Sequence, residues 1–144
     1  MSIKQISVFM ENKPGVLGEM TEELAKNNVD LRAISLAEAA DFGIARMIVD
    51  DLYKATTVLK DAGFVHRLVD VVAVEIPDVP GGLNKVLGCL SGAGVNLEYM
   101  YASRGDKEEN RAYMILKVEQ VTRASDALKE GGFNLVDQDH ADEV

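Results

Sequence analysis

The run Ile6-Ser7-Val8-Phe9-Met10-Glu11-Asn12-Lys13-Pro14-Gly15-Val16-Leu17 decides the fold, because the chain repeats it. The second version, 66 positions on, is Val72-Ala73-Val74-Glu75-Ile76-Pro77-Asp78-Val79-Pro80-Gly81-Gly82-Leu83. Val8 falls on Val74, Pro14 on Pro80, Gly15 on Gly81 and Leu17 on Leu83. The match continues with Leu24 on Leu90, Val29 on Val95 and Leu31 on Leu97. Further on the displacement becomes 69, where Ala55 meets Ala124, Leu59-Lys60 meets Leu128-Lys129 and Gly63-Phe64 meets Gly132-Phe133. Three extra residues must lie between, and the charged stretch from Arg104 to Glu109 is their expected place. Two copies of about 70 residues fill the chain, so it is a duplication and not a solenoid of many repeats. The seam falls near Asp70, giving expected domains at 1–70 and 71–144.

Each copy reads as the same series of elements. Ile6, Val8 and Met10 alternate with Ser7 and Phe9, the period of two of a strand, and Val72, Val74 and Ile76 repeat that face. Pro14-Gly15 and Pro80-Gly81 stop these strands, since proline cannot donate to the ladder and glycine permits the sharp turn. Leu17, Met20 and Leu24 then recur at helical spacing, as do Leu83, Val86, Leu87 and Leu90. Asn27-Asn28 and Gly92-Ala93-Gly94 end those helices.

Strands are expected from Val29 to about Glu38 and from Val95 to about Ser103. Asp41-Phe42-Gly43 is the expected turn into a return strand, Ile44 to Val49, with Ala112 to Val118 as its counterpart. Second helices are predicted over about Leu52 to Ala62, started by Asp50-Asp51, and over about Thr122 to Glu130, with Thr122 as N-cap. Short strands near Phe64 to Val69 and Phe133 to Val136 close the copies. The class is α+β: a βαββαβ order written twice, the split βαβ of a ferredoxin-like antiparallel sheet with both helices on one face.

Composition narrows the function. Of 144 residues, 24 are acidic and 15 basic, a formal charge of −9, which argues against nucleic acid and anionic membrane as partners. One cysteine, Cys89, can make neither an intrachain disulfide nor a thiolate cluster, so a reducing cytoplasm is the natural compartment. No signal-like or membrane-spanning apolar run is present.

Catalytic chemistry is hard to place. His66 and His140 do not match under the repeat, and His66 reads as a tolerated strand residue. His140 stands in a run of acids, Asp137 to Glu143, expected to be a solvated tail. Cys89 has no basic neighbour in sequence to activate it. No dinucleotide fingerprint, phosphate loop or Cys-x-x-Cys occurs, so no cofactor, no metal and no enzymatic activity are expected.

What both copies present is a loop between first strand and first helix. A helix start aims unpaired N–H groups outward with partial positive charge, a seat for a carboxylate, and the glycine lets a ligand approach the backbone. Asn12 and Asp78 carry oxygens able to accept from an ammonium group, and Asp30 and Asn96 open the next strand. A zwitterion could be held between such groups. The same residues serve equally as ordinary caps and turn formers.

The pattern of a hydrophobic strand, Asn-Lys-Pro-Gly-Val-Leu, a helix and Val-Asp-Leu resembles the ACT domain, an amino-acid-sensing module of regulated enzymes. Asp-Val-Pro-Gly-Gly-Leu followed by Gly-Val-Asn-Leu is similar. So are Val58 to Phe64 and Ala127 to Phe133, which look like the family's second helix and its exit. The resemblance covers the chain up to about Asp137. It implies two ferredoxin-like modules pairing into a sheet of about eight strands with helices on one face, each loop near the other module's second strand. The implied ligand contacts are Asn12, Lys13, Pro14, Gly15, Val16, Leu17 and Asp30 in the first copy. In the second they are Asp78, Val79, Pro80, Gly81, Gly82, Leu83 and Asn96. Each copy carries one Asn and one Asp across the two key places, swapped between copies.

A pair of such modules looks like a sensor of amino-acid metabolism. Its implied partners are a free amino acid, a second copy in a homodimer and a biosynthetic enzyme, with acetolactate synthase as one example. Two other classes stand beside it: a ligand-free interaction module, and a small enzyme such as an acylphosphatase, whose loop arginine is here Lys13 or Val79. Apolar residues Ile44, Ile48, Tyr113 and Ile115 on the expected open sheet face point to a covering partner.

Overall fold

The computed structural model describes residues 1–105 and 109–144. It divides into two compact units, one of Lys4–Val69 and the other of Met1–Ile3 with Asp70–Val144.

In the first unit the elements are β1 (Ile3–Glu11), α1 (Val16–Lys26), β2 (Leu31–Ala39), β3 (Phe42–Val49), α2 (Leu52–Asp61) and the part of β4 (Val65–Pro77) up to Val69. The strand order is β2-β3-β1-β4, and β1–β3 and β2–β3 pair antiparallel. Alternation puts Ile6, Val8 and Met10 of β1 and Ala45, Met47 and Val49 of β3 on one face. There they meet Met20 and Leu24 of α1 and Ala55, Val58 and Leu59 of α2. Both helices therefore cover the same side. Burying a side chain such as Leu59, 0% exposed, contributes about 2 kcal/mol. Asp51 starts α2 as expected, its carboxylate accepting from Lys54 N–H at 3.0 Å.

The second unit runs through the C-terminal half of β4, α3 (Gly82–Gly92), β5 (Leu97–Ala102), β6 (Arg111–Val118), α4 (Val121–Glu130) and β7 (Asn134–Val136). β4 lies between β6 and β7, and β5 pairs β6, all antiparallel. Its core is the duplicate of the first: Val72, Val74 and Ile76 with Met114, Leu116 and Val118 under Val86, Leu90, Ala124 and Leu128. The registers repeat as well. Ile6 faces Met47 where Val72 faces Leu116, and a bulge follows the first pair of each hairpin, at Leu31/Ala33 and Leu97/Tyr99. Asp106, Lys107 and Glu108, in the expected insertion, lie outside the described residues.

Several expectations need correction. The described residues form seven strands, not eight, because the strand closing the first copy and the one opening the second are a single strand, β4. Nothing between Val65 and Ile76 is Gly or Pro, so no residue breaks the extended chain at the seam. The first hairpin turns at Ala40-Asp41, and Phe42 and Gly43 already belong to β3. Gln120, not Thr122, precedes α4, and its side chain makes no capping bond. The acidic tail is folded: Gln138–Glu143 form a 3-10 turn capped by Asp137, with Ala141 and Val144 buried. Ile48, Tyr113 and Ile115 are buried within the single chain and Ile44 is half-buried, so their apolar character requires no second molecule. No helix among the described residues is long and apolar enough to cross a membrane.

Candidate functional site

The loop entering α1 is built by its own backbone. Asn12 N–H donates to Asp41 O at 3.0 Å, Lys13 N–H to Glu11 O at 3.0 Å and Glu19 N–H to Gly15 O at 2.9 Å. The loop entering α3 repeats these bonds: Asp78 N–H to Asn110 O at 3.1 Å, Val79 N–H to Pro77 O at 2.9 Å and Lys85 N–H to Gly81 O at 3.2 Å. Each loop is thus tied to the hairpin tip of its own copy. Gly15 and Gly81 occupy the N-cap positions at φ 90° and 86°, a left-handed conformation that costs other residues about 1–2 kcal/mol. Neither helix has a side-chain cap; Val16 N–H and Gly82 N–H, the first of each helix, donate back to Lys13 O at 3.5 Å and Val79 O at 3.1 Å, and the N–H groups that follow them in the first turn are left to solvent or a ligand.

Asn12, Lys13, Pro14 and Gly15 are exposed, with Val16 and Leu17 half-buried. Asp78, Val79, Pro80 and Gly81 are exposed, Leu83 is half-buried and Gly82 is buried. Asn12 Nδ2 also donates to Ala40 O at 3.4 Å, so its amide spans loop and hairpin.

The structure does not bring Asp30 to Asn12 within a unit. Glu11, next to Asn12, faces Phe42 at the hairpin end, whereas Leu31, next to Asp30, faces Val49 at the other end. At about 3.3 Å per residue the two ends of β2 are more than 20 Å apart. Asp30 is engaged there, accepting from Arg32 Nη1 at 2.8 Å, while its N–H donates to Asp50 Oδ1 at 2.9 Å. Asn96 sits correspondingly, its carbonyl accepting from Glu119 N–H at 3.4 Å.

Beside each loop lies a groove that sequence reasoning missed. The first, about 280 Å³, is lined by Phe9, Glu11, Lys13, Val16, Glu19 and Phe64 among others. The second, about 330 Å³, is lined by Glu75, Pro77, Asn110, Arg111, Phe133 and Asn134 among others. Phe9 and Glu75, Glu11 and Pro77, and Phe64 and Phe133 are equivalent under the repeat. The available signal was the recurring Gly63-Phe64 and Gly132-Phe133, which marks the duplication and also places an aromatic ring at the groove. A larger cavity of about 570 Å³, beside Ala93 and the start of α4, contains none of the candidate residues.

The grooves differ in charge. In the first, Lys13 Nζ lies 2.8 Å from Glu11 Oε2. That bond holds the Glu11 carboxyl below its usual range and the Lys13 amine above its own. The second copy has Pro77 and Val79 at those places. Its cation is Arg111, reaching Glu75 at 3.2 Å and Glu109 at 3.1 Å, and Glu109 first and Glu75 next raise its guanidinium pKa.

His66 is half-buried with Nδ1 2.9 Å from Phe64 O, and His140 Nδ1 is 2.6 Å from Asp137 Oδ1. Neither lines a groove. Among the described residues no group of three or more His, Cys, Asp or Glu side chains is placed to hold a metal ion.

The family model described as an ACT domain pair matches residues 1–143. A protein from Bacteroides thetaiotaomicron is similar over 100% of this chain and 98% of its own, at 43% identity and a TM-score of 0.91. The regulatory subunit of aspartate kinase from Thermus thermophilus covers 90% of this chain with 89% of its own, at 17% identity and TM-score 0.64. Its counterpart from Thermus flavus gives 19% identity over 90% and 92%, with TM-score 0.60. At those identities the two subunits share the fold alone. No curated protein sequence matches the chain significantly.

Proposed function

Because the chain belongs to the ACT domain family of ligand-binding regulatory modules, as a pair of such domains, we propose that it senses a free amino acid and regulates by association. The observation that carries this reading is the loop written twice and bonded twice in the same way, opening on an uncapped helix start. The ligand's carboxylate takes the N–H groups of the first turn, where the partial positive charge lies. Its ammonium is received by the side-chain oxygen of Asn12 or Asp78, and its side chain lies along the groove toward Phe64 or Phe133.

Asn12 and Asp30 stand at opposite ends of one unit, so a single small ligand does not reach both within that unit. Binding then favours one arrangement of modules by its differential affinity and shifts association with a second copy or a biosynthetic enzyme. The two sites are unequal, since Lys13 and Val16 of the first are Val79 and Gly82 in the second. The role is regulatory rather than catalytic, and the compartment is the cytoplasm.

The test is thermal unfolding against each of the twenty amino acids. A ligand at about a hundred times its dissociation constant adds roughly 2.7 kcal/mol, several degrees for a protein of this size. One or a few amino acids should raise the midpoint, and Asn12→Ala combined with Asp78→Ala should remove the rise. A flat response to all twenty would overturn amino-acid sensing and leave an interaction module.

A further inference from the structure

The two grooves occupy equivalent places in their copies, so a difference between them is a difference in what each can hold. They share an apolar base: Met10 and Phe64 line the first where Ile76 and Phe133 line the second. Two lining positions change character, since Phe9 becomes Glu75 and Val65 becomes Asn134. The hairpin tip changes with them. Phe42 faces Glu11, and its counterpart Arg111 faces Pro77. Asp41, whose carbonyl takes the Asn12 N–H, is matched by Asn110, whose carbonyl takes the Asp78 N–H. Arg111 and Asn110 both line the second groove.

We propose that the two grooves select different amino acids, one with a large apolar side chain beside α1 and one with a side-chain amide beside α3. The proposal rests on the sensing reading and adds to it what each site selects. In the first groove Phe9, Val16, Phe64 and Val65 present side chains of carbon alone. The two charges nearest the loop, Glu11 and Lys13, satisfy each other at 2.8 Å, and the Glu19 carboxylate repels an acidic ligand side chain. An aliphatic or aromatic side chain lying there removes apolar surface of both partners from water. A ligand amide gives up its water against a lining that is mostly carbon.

The second groove reverses this preference. Asn110 and Asn134 bring amides to its lining, each able both to donate to a ligand amide and to accept from it. Arg111 is already held by Glu75 at 3.2 Å and Glu109 at 3.1 Å. An acidic side chain must therefore compete with two carboxylates for one guanidinium, and both repel it. An apolar side chain would cover Glu75 and Asn134 and strip them of water without replacing its hydrogen bonds. A neutral side chain with a donor and an acceptor meets neither penalty.

The test is thermal unfolding and isothermal titration of the full chain with leucine, phenylalanine, glutamine and asparagine, repeated on Val65→Asn and Asn134→Val. Each substituted residue is exposed and is the first of its strand. One apolar and one amide probe should each raise the midpoint, and together they should raise it further, because they fill separate sites. Val65→Asn should weaken the apolar probe by about tenfold and leave the amide probe unchanged, and Asn134→Val should do the reverse. The undisturbed response to one probe shows that the variant is folded. Competition of both probes for one site, one amino acid filling both grooves, or equal losses for both probes in either variant would overturn the division and leave sensing in place. Stabilisation by other amino acids alone would do the same. A flat response to all twenty would overturn sensing itself, and this selectivity with it.

Discussion

A Cβ on Gly82 would overlap the carbonyl oxygen of Pro77, so the first residue of α3 packs directly on the backbone of the loop that leads into it. A side chain in the way could swing aside, but a carbonyl in a hydrogen-bonded loop cannot. Gly82→Ala should therefore cost about 1–3 kcal/mol by overpacking and lower the unfolding midpoint by several degrees. Gly88, in the same helix, has open space where its Cβ would go, so Gly88→Ala should stabilise by about 0.5–1 kcal/mol. Chemical denaturation of the two variants should give opposite signs; equal losses would contradict the packing described.

The His140–Asp137 bond should make the closing 3-10 turn depend on pH. The hydrogen bond from His140 lowers the Asp137 pKa from its ordinary 3.8, and that same bond raises the His140 pKa from 6.5, helped by the charges of Asp137, Glu143 and Asp139. For His140 the raised folded value means stability fully present below 6.5 and lost as pH climbs through the folded pKa. For Asp137 it is present above 3.8 and lost as pH falls through the folded pKa. The pair thus contributes most between those two ordinary values. The midpoint difference between the unmodified chain and His140→Gln should be largest between pH 3.8 and 6.5 and shrink as the pH climbs through the folded His140 pKa. A difference that does not vary with pH would rule the pair out as its source.

Ser125 ties the start of the chain to α4. Its hydroxyl accepts from the Met1 ammonium at 3.3 Å and donates to the Met1 carbonyl at 2.9 Å, and the residue is 1% exposed. Ser125→Ala leaves the carbonyl without that donor and should cost about 1 kcal/mol. Amide exchange at Ile3, itself buried, should accelerate in the variant. Unchanged exchange there would show that Met1 is held by other contacts.

The duplication was legible in the sequence because equivalent residues are under equivalent constraints. Pro14-Gly15 and Pro80-Gly81 must end a strand and cap a helix, and Leu59 and Leu128 must fill the same core place, each 0% exposed. What stayed hidden depended on contacts distant in sequence. Nothing in Val65 to Ile76 says whether two strands abut or run on as one, since unbroken β-branched residues suit both. The tail from Asp137 reads as solvated by charge, but Ala141 and Val144 find burial only in the folded unit. The separation of Asn12 from Asp30 follows from register, which local patterns do not specify. The grooves were half visible, in the repeated Gly-Phe, but a ring's neighbours cannot be read from its own position.

Ala40 closes the β2–β3 turn at φ 55°, in the left-handed region that an L side chain with a Cβ occupies at a cost of about 1–2 kcal/mol. The strain is held in place by its surroundings: Asp41 O takes the Asn12 N–H at 3.0 Å and Ala40 O takes the Asn12 side chain at 3.4 Å. Glycine adopts this conformation freely and keeps the carbonyl, although it adds entropy to the unfolded chain. Ala40→Gly should therefore raise stability by about 0.5–1 kcal/mol, and Ala40→Val should lower it by more, since a β-branched side chain fits the left-handed region least. In urea the midpoints should move in those directions with the slope unchanged, because the surface exposed on unfolding stays the same. If glycine destabilises instead, the hairpin tip does not hold Ala40 in the left-handed conformation.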